Sequence, residues 1–153
     1  MGERNRYHGA MPKFSASSRS RLETCDPRLQ ALFNAVVVTD DCTILEGLRT
    51  QERQEELYRQ GRSKLDGVNQ KSKHQSDDGI SRAVDVAPYP IDWNTHQPAV
   101  AKRWLDFARA VLAEAERQGT SVRWGGDWDG DWDRVSDPTL DQSFNDWPHW
   151  ELR

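Results

Sequence analysis

Little in this sequence of 153 residues points to a membrane, a nucleic acid or a disulfide framework. No stretch approaches the roughly 20 apolar residues that cross a bilayer. Residues 1–10 lack the apolar centre of a secretion signal. The chain is therefore expected to be made in the cytoplasm without stable membrane insertion. The formal net charge is −4, so any nucleic-acid role would need a localised basic patch. Lys and Arg are too scattered to supply one, and no nucleic-acid partner is expected. Only two cysteines occur, Cys25 and Cys42. In a reducing compartment they are expected to be buried thiols rather than a disulfide.

Hydrophobic residues make up 35% and charged residues 30%, yet seven Trp, four Phe and three Tyr are present. Aromatics of that size let a polar chain close one core, and the length suits one domain rather than two. Residues 1–20 are rich in Arg, Ser and Gly without apolar periodicity and are expected to form an N-terminal arm, leaving 21–153 as the folded domain.

Asp26 as N-cap, Pro27 in the first turn, and Leu29, Leu32, Phe33 and Val36 at helical spacing predict the first helix. A short strand is predicted over 42–48. Thr50 then caps a charged helix over 51–60, which Gly61 ends in a left-handed turn. The polar stretch 61–81 predicts a long loop, and loops of that length in compact domains are commonly functional. Residues 83–87 alternate, with Val84 and Val86 on one face and Asp85 on the other between small residues, before Pro88 stops the strand. Val100, Trp104, Phe107, Ala108, Val111 and Ala115 stripe the longest predicted helix, from near Pro98 to before Gly119. Short strands are predicted over 122–124 and near the C-terminus. Helices and strands mix without regular βαβ alternation and without an internal repeat. The expected class is α+β, one domain with helices packed on a small antiparallel sheet.

A catalytic metal centre needs three protein ligands and one open position. There are four histidines. His74 precedes the strand that carries Asp85, and His149 lies on the last strand, so two imidazoles and one carboxylate can converge. Taken singly each has a bland explanation: a solvated loop His, a turn-capping Asp, a packed C-terminal His. Pro148 stands directly before His149 and drives the residue ahead of it to extended geometry, which speaks for a strand and against a helical two-His motif. On that strand simple alternation puts Glu151, not Asp146, on the face of His149. The acidic run 127–133 offers hard oxygen ligands that could take calcium, although it lacks the full twelve-position loop.

The blocks Leu22-Glu-Thr-Cys25, Glu46-Gly-Leu-Arg-Thr50, Gln54 with Leu57-Tyr58, Gly61-Arg-Ser-Lys64, Ser72-Lys-His74, Ala83-Val-Asp85, Trp124-Gly-Gly126 and Asp146-Trp-Pro-His149 occur in one order. In that order the chain resembles the zinc peptidases that include D-Ala-D-Ala carboxypeptidases and phage L-alanyl-D-glutamate endopeptidases. The resemblance starts near Phe14. It implies a zinc-dependent hydrolase of the peptidoglycan stem peptide, an L-alanyl-D-glutamate endopeptidase acting as an endolysin. Such an enzyme waits in the host cytoplasm as a monomer and reaches the wall at lysis. A D-Ala-D-Ala carboxypeptidase or dipeptidase on the same scaffold, or a non-catalytic zinc-stapled wall-binding domain, are the alternatives.

By the resemblance His74, Asp85 and His149 hold zinc and Asp146 is the general base. Arg49 polarises and binds substrate, with Gln54 and Ser72 beside it, although Ser72 can equally fix the turn before His74. Glu151 is left to orient His149. One departure stands out. The family leaves six residues between its Ser-x-His and its Asp, whereas here 85 − 74 = 11, so ten intervene, an apparent four-residue insertion around 76–81. A lengthened loop is thermodynamically tolerable.

Overall fold

The computed structural model describes residues 12–68 and 72–153. Four α-helices and four strands are found there: α1 Ala16–Leu22, α2 Pro27–Thr39, β1 Cys42–Glu46, α3 Gln51–Arg59, β2 Ala83–Pro88, α4 Pro98–Gln118, β3 Val122–Trp124 and β4 His149–Leu152, with a 3₁₀ turn at Pro138–Leu140. The sheet has the order β1-β2-β4-β3 and every pairing is antiparallel. This is the α+β arrangement that the hydrophobic patterning anticipates.

Capping chemistry sets the helix bounds. Asp26 accepts from the backbone N–H of Arg28 at the start of α2, and Thr50 does the same for Arg53 in α3, each satisfying an amide that has no partner inside its helix. Helix α4 ends at Gly119, whose φ of 69° is the left-handed geometry a side chain disfavours. Helix α1 was not expected. It crosses the boundary predicted at residue 20, because Ser15 caps it and Leu22 and Phe14 pack into the core while Ser18 is buried, its hydroxyl accepting from the N–H of Ile44. The first eleven residues of the expected arm lie outside the described residues. Strand β1 ends at Glu46, two residues short of the predicted 42–48, and its register against β2 shifts between Ile44 and Glu46. Such a bulge re-aims the chain that follows.

The sheet has two unlike faces, and this division builds the site. Val84 and Val86 of β2, Trp150 and Leu152 of β4, and Val122 and Trp124 of β3 belong to the core with Leu29, Leu32, Phe33 and Val36 of α2 and Phe107 and Val111 of α4. Trp124 is the hub, stacked at 5.9 Å on Trp150 and at 5.6 Å on Trp132. Because side chains alternate along a strand, the residues between these apolar ones, Asp85, His149, Glu151 and Arg123, all emerge on the opposite face. No helix among the described residues is long and apolar enough to cross a membrane. Both cysteines are buried and free, and burial pushes the Cys25 thiol up to about 11.

Candidate metal centre

Asp85 and His149 are direct cross-strand partners in the β2–β4 ladder, so their side chains leave the same face as neighbours. His74 reaches them from the long loop and is only 2% exposed. Its Nε2 lies 3.2 Å from Asp85 Oδ1 and 3.3 Å from His149 Nδ1, and that Nδ1 lies 3.3 Å from Asp85 Oδ1. The three atoms form a nearly equilateral triangle. Ligands about 2.0–2.1 Å from a tetrahedral ion such as zinc stand about 3.3–3.4 Å apart, so the triangle has the size such an ion demands.

The outer ring nitrogens agree with this geometry. His74 Nδ1 is 2.9 Å from the carbonyl oxygen of Gly47, and His149 Nε2 is 2.8 Å from Glu151 Oε1. Both partners only accept, which places the imidazole protons on the outside and turns the inner lone pairs toward Asp85. Two lone pairs and a carboxylate oxygen at 3.2–3.3 Å repel one another unless a cation or proton lies between them. Without a metal a proton serves. Burial disfavours a charged His149, but the hydrogen bonds to Asp85 and Glu151 outweigh it and raise the imidazole to about 9. Burial likewise opposes ionisation of Asp85 and Glu151. The bond from protonated His149, with His74 beside it, nevertheless holds Asp85 well below the usual carboxylate range, and the hydrogen bonds from His149 and Arg123 lower Glu151 to about 2.

Glycines bring the pieces close. A Cβ on Gly47 would collide with the carbonyl oxygen of Arg21 and the hydroxyl of Thr24, so only glycine lets this carbonyl lie where it meets His74. Gly125 has the same relation to Asp146, whose backbone N–H donates to the Gly125 carbonyl at 2.9 Å. Strand alternation turns Asp146 away. A turn just before β4, closed by the N–H of His149 on the carbonyl of Asp146 at 3.1 Å, instead brings Asp146 Oδ2 to 3.9 Å from His149 Nδ1. Burial and the charge of Asp85 push the Asp146 carboxyl up, against the pull of His149, His74 and Arg49.

Arg49 follows the bulge of β1, and its backbone N–H donates to the carbonyl of His74 at 2.7 Å. Its guanidinium bonds Glu46 through Nε and Nη2, Gln54 Oε1 at 2.7 Å and Ser72 Oγ at 3.4 Å through Nη1. Four of its five N–H groups are thereby engaged by described residues. Gln54, expected at the substrate, is fully buried. Its amide is saturated by Arg49, by Ser63 Oγ at 2.8 Å and by the Leu65 carbonyl at 2.7 Å. It ties Arg49 to the loop and presents nothing to a ligand. Ser72 Oγ accepts from the N–H of His74 at 3.1 Å, so it holds the turn, the second of its two expected roles.

The insertion does not disturb His74. That residue is fixed by Gly47 and Arg49, upstream of the added length. Beyond it, Asp78 pairs with Arg82 at 2.7 Å and Ser81 is tied by backbone bonds to Thr24 and Asp26, so the extra residues form an exposed loop with pinned ends. In the acidic run Asp127, Asp129 and Asp131 converge within 4.8 Å. A shared hydrogen bond with Asp141 and burial raise Asp131 to about 7. Protons can hold these carboxylates together, and nothing in the arrangement singles out the expected calcium. The predicted set lacked Glu46, Gly47 and Gly125, all inside the blocks that carry the resemblance, and Arg123, which bonds Glu151 Oε2 at 2.8 Å.

Residues 11–153 match the family described as phage L-alanyl-D-glutamate peptidase. Among solved structures, the chain is similar to the Serratia marcescens L-Ala D-Glu endopeptidase ChiX, with a TM-score of 0.62 and 24% identity over 93% of this chain and 91% of that one. At that identity the likeness speaks for the fold.

Proposed function

The chain belongs to the phage L-alanyl-D-glutamate peptidase family, enzymes that hydrolyse peptidoglycan, and from that premise we propose that His74, Asp85 and His149 hold one zinc ion with Asp146 as the general base. The observation that carries the proposal is the triangle of inward-facing donor atoms at 3.2–3.3 Å, each imidazole oriented by an outer acceptor. Zinc in that position supplies Lewis acidity for the scissile carbonyl and lowers the pKa of water toward about 7.

The protein's own groups do the remainder. Asp146 Oδ2 takes a proton from the attacking water and returns it to the nitrogen of the leaving amine. Its Oδ2, 3.9 Å from His149 Nδ1, stands beside the ligand triangle within reach of both steps. Arg49, clamped by Glu46, Gln54 and Ser72, keeps an N–H for a substrate oxygen as negative charge develops there. Glu151 keeps His149 in the tautomer that presents Nδ1, and Arg123 keeps Glu151 ionised. All of these groups come from one chain, so the site is complete in a monomer. The family supports cleavage at the L-Ala-D-Glu bond, and the role proposed is that of an endolysin released onto the wall at lysis.

The test pairs metal analysis with lysis of permeabilised cells. Zinc at one equivalent, lysis lost with chelator and restored by zinc, and Asp146→Ala inactive with zinc retained are the expected results. Full-rate lysis by a zinc-loaded Asp146→Ala protein would remove Asp146 from the mechanism.

A further inference from the structure

Trp128 and Phe144 are absorbed neither by the core nor by the chemistry above. Phe144 is 62% exposed, and the neighbouring Leu140 is 81% exposed. The two rings lie 13° from parallel with centroids 6.5 Å apart. Ring carbons touch at about 3.5–4.0 Å, so this separation means an offset pair in which each ring leaves part of its face uncovered. The pair is braced. Trp128 Nε1 donates to the Phe144 carbonyl at 3.0 Å, the Trp128 N–H donates to Gln142 Oε1 at 2.9 Å, and Gln142 in turn bonds the carbonyls of Gly125 and Phe144 and the side chain of Asn145. The Arg123 guanidinium sits 5.4 Å from the Trp128 ring. Trp128 is half-buried and lies 5.6 Å from the ring of His149, so a braced, partly exposed aromatic surface adjoins the proposed metal ligands.

The substrate explains why such a surface is useful there. In peptidoglycan the amino group of L-alanine is acylated by the lactyl ether of N-acetylmuramic acid, so an L-alanyl-D-glutamate bond lies one residue from a sugar. When that bond is at His74, Asp85 and His149, the sugar must rest on the surface beside them. We propose that Trp128 and Phe144 are the platform on which the N-acetylmuramic acid ring stacks, making the enzyme selective for stem peptide still attached to glycan. The proposal rests on the zinc-site reading above for the position of the scissile bond. The C–H face of a pyranose matches the negative face of an aromatic ring, and rigid flanking rings need little ordering when the sugar arrives.

Two measurements test it. The first compares kcat/KM for N-acetylmuramyl-L-Ala-D-Glu peptide with that for N-acetyl-L-Ala-D-Glu peptide. Phe144→Ala is expected to lower the ratio of the two roughly two- to tenfold, the range of one aromatic stacking contact, and Phe144→Tyr to preserve it. A ratio unchanged in Phe144→Ala overturns the proposal. The second follows the Trp128 indole N–H by NMR, assigned by its loss in Trp128→Phe, during titration with the peptide-free disaccharide of N-acetylglucosamine and N-acetylmuramic acid in chelator. A shift in the wild type that disappears in Phe144→Ala is expected, and no shift in the wild type overturns the platform. If the zinc-supplemented wild type cuts neither peptide, the metal-site reading falls, and the disaccharide titration decides the platform by itself.

Discussion

Gly125→Ala should separate the proposed general base from the proposed metal site. A Cβ at position 125 would stand 2.8 Å from Asp146 Cβ and 3.0 Å from its carbonyl carbon, with the carbonyl oxygen closer still. Carbon atoms pack no closer than about 3.5 Å, so Asp146 must retreat by at least about 0.7 Å or Gly125 must move by that amount. The obstacle is backbone and cannot swing aside as the end of a long side chain would. Either movement also strains the bond from the Asp146 N–H to the Gly125 carbonyl. Overpacking of this kind costs about 1–3 kcal/mol of stability. Displacing a catalytic group by most of an ångström costs up to about a hundredfold in rate, equivalent to about 2.7 kcal/mol in the barrier. The Gly125 N–H also donates to the His149 carbonyl at 2.9 Å, but the added Cβ meets Asp146 and not a ligand side chain, so when Asp146 gives way zinc affinity should fall by no more than a few-fold. Peptide cleavage, a competitive zinc titration and a melting curve on the same preparation give the three quantities. Near-normal kcat/KM in Gly125→Ala would refute the placement of Asp146, and loss of zinc in proportion to activity would show that the turn serves the metal rather than the base.

How much of this was legible in the sequence depends on the range of the interactions. The helix caps at Asp26 and Thr50 and the glycine stop at Gly119 are local, and the structure has them where the sequence puts them. The alternation of Val84 and Val86 around Asp85 is equally local, and it predicts which face the carboxylate takes. Helix α1 was missed because its seven residues carry no apolar stripe; it owes its stability to Ser18, Leu22 and Phe14 docking against distant parts of the fold. Among site residues the same division holds. Periodicity places Glu151 on the face of His149, but it cannot bring Asp146 there, since a four-residue turn from Asp146 to His149, packed against Gly125, overrides alternation. Gln54 shows the converse failure. A polar residue in a family block suggests a ligand contact, yet only the folded loop over 63–65 reveals that both ends of its amide are already occupied. The roles of Gly47 and Gly125 follow from atoms they lack, and spacing carries no trace of that.

Three further outcomes are expected. Glu151→Gln keeps an acceptor for His149 but loses the charge that raises its basicity and pairs with Arg123, so zinc affinity should fall about tenfold, the low end for loss of a partner behind a ligand; unchanged affinity in a chelator competition would remove Glu151 from that role. Gln54→Leu leaves the Leu65 carbonyl and an Arg49 N–H without partners, so the melting temperature should drop with about 1–3 kcal/mol of stability and kcat/KM should fall while zinc binding holds, whereas a variant as stable and active as the parent contradicts the role of Gln54 in tying Arg49 to the loop. The last concerns protons. In the metal-free protein burial opposes the charge on His149, but Asp85 and Glu151 outweigh it and raise the imidazole to about 9, above the roughly 6.5 of an unfolded chain. A raised pKa stabilises the metal-free fold fully below pH about 6.5, and that contribution fades as pH climbs through about 9. Zinc needs the neutral ring, so at pH about 7.5 its binding must expel close to one proton and its apparent affinity should rise about tenfold per pH unit until about 9. Calorimetric titration of zinc in buffers of different ionisation heat measures that proton directly, and a binding heat independent of the buffer would mean that His149 is already neutral and that the ion does not displace a proton from it.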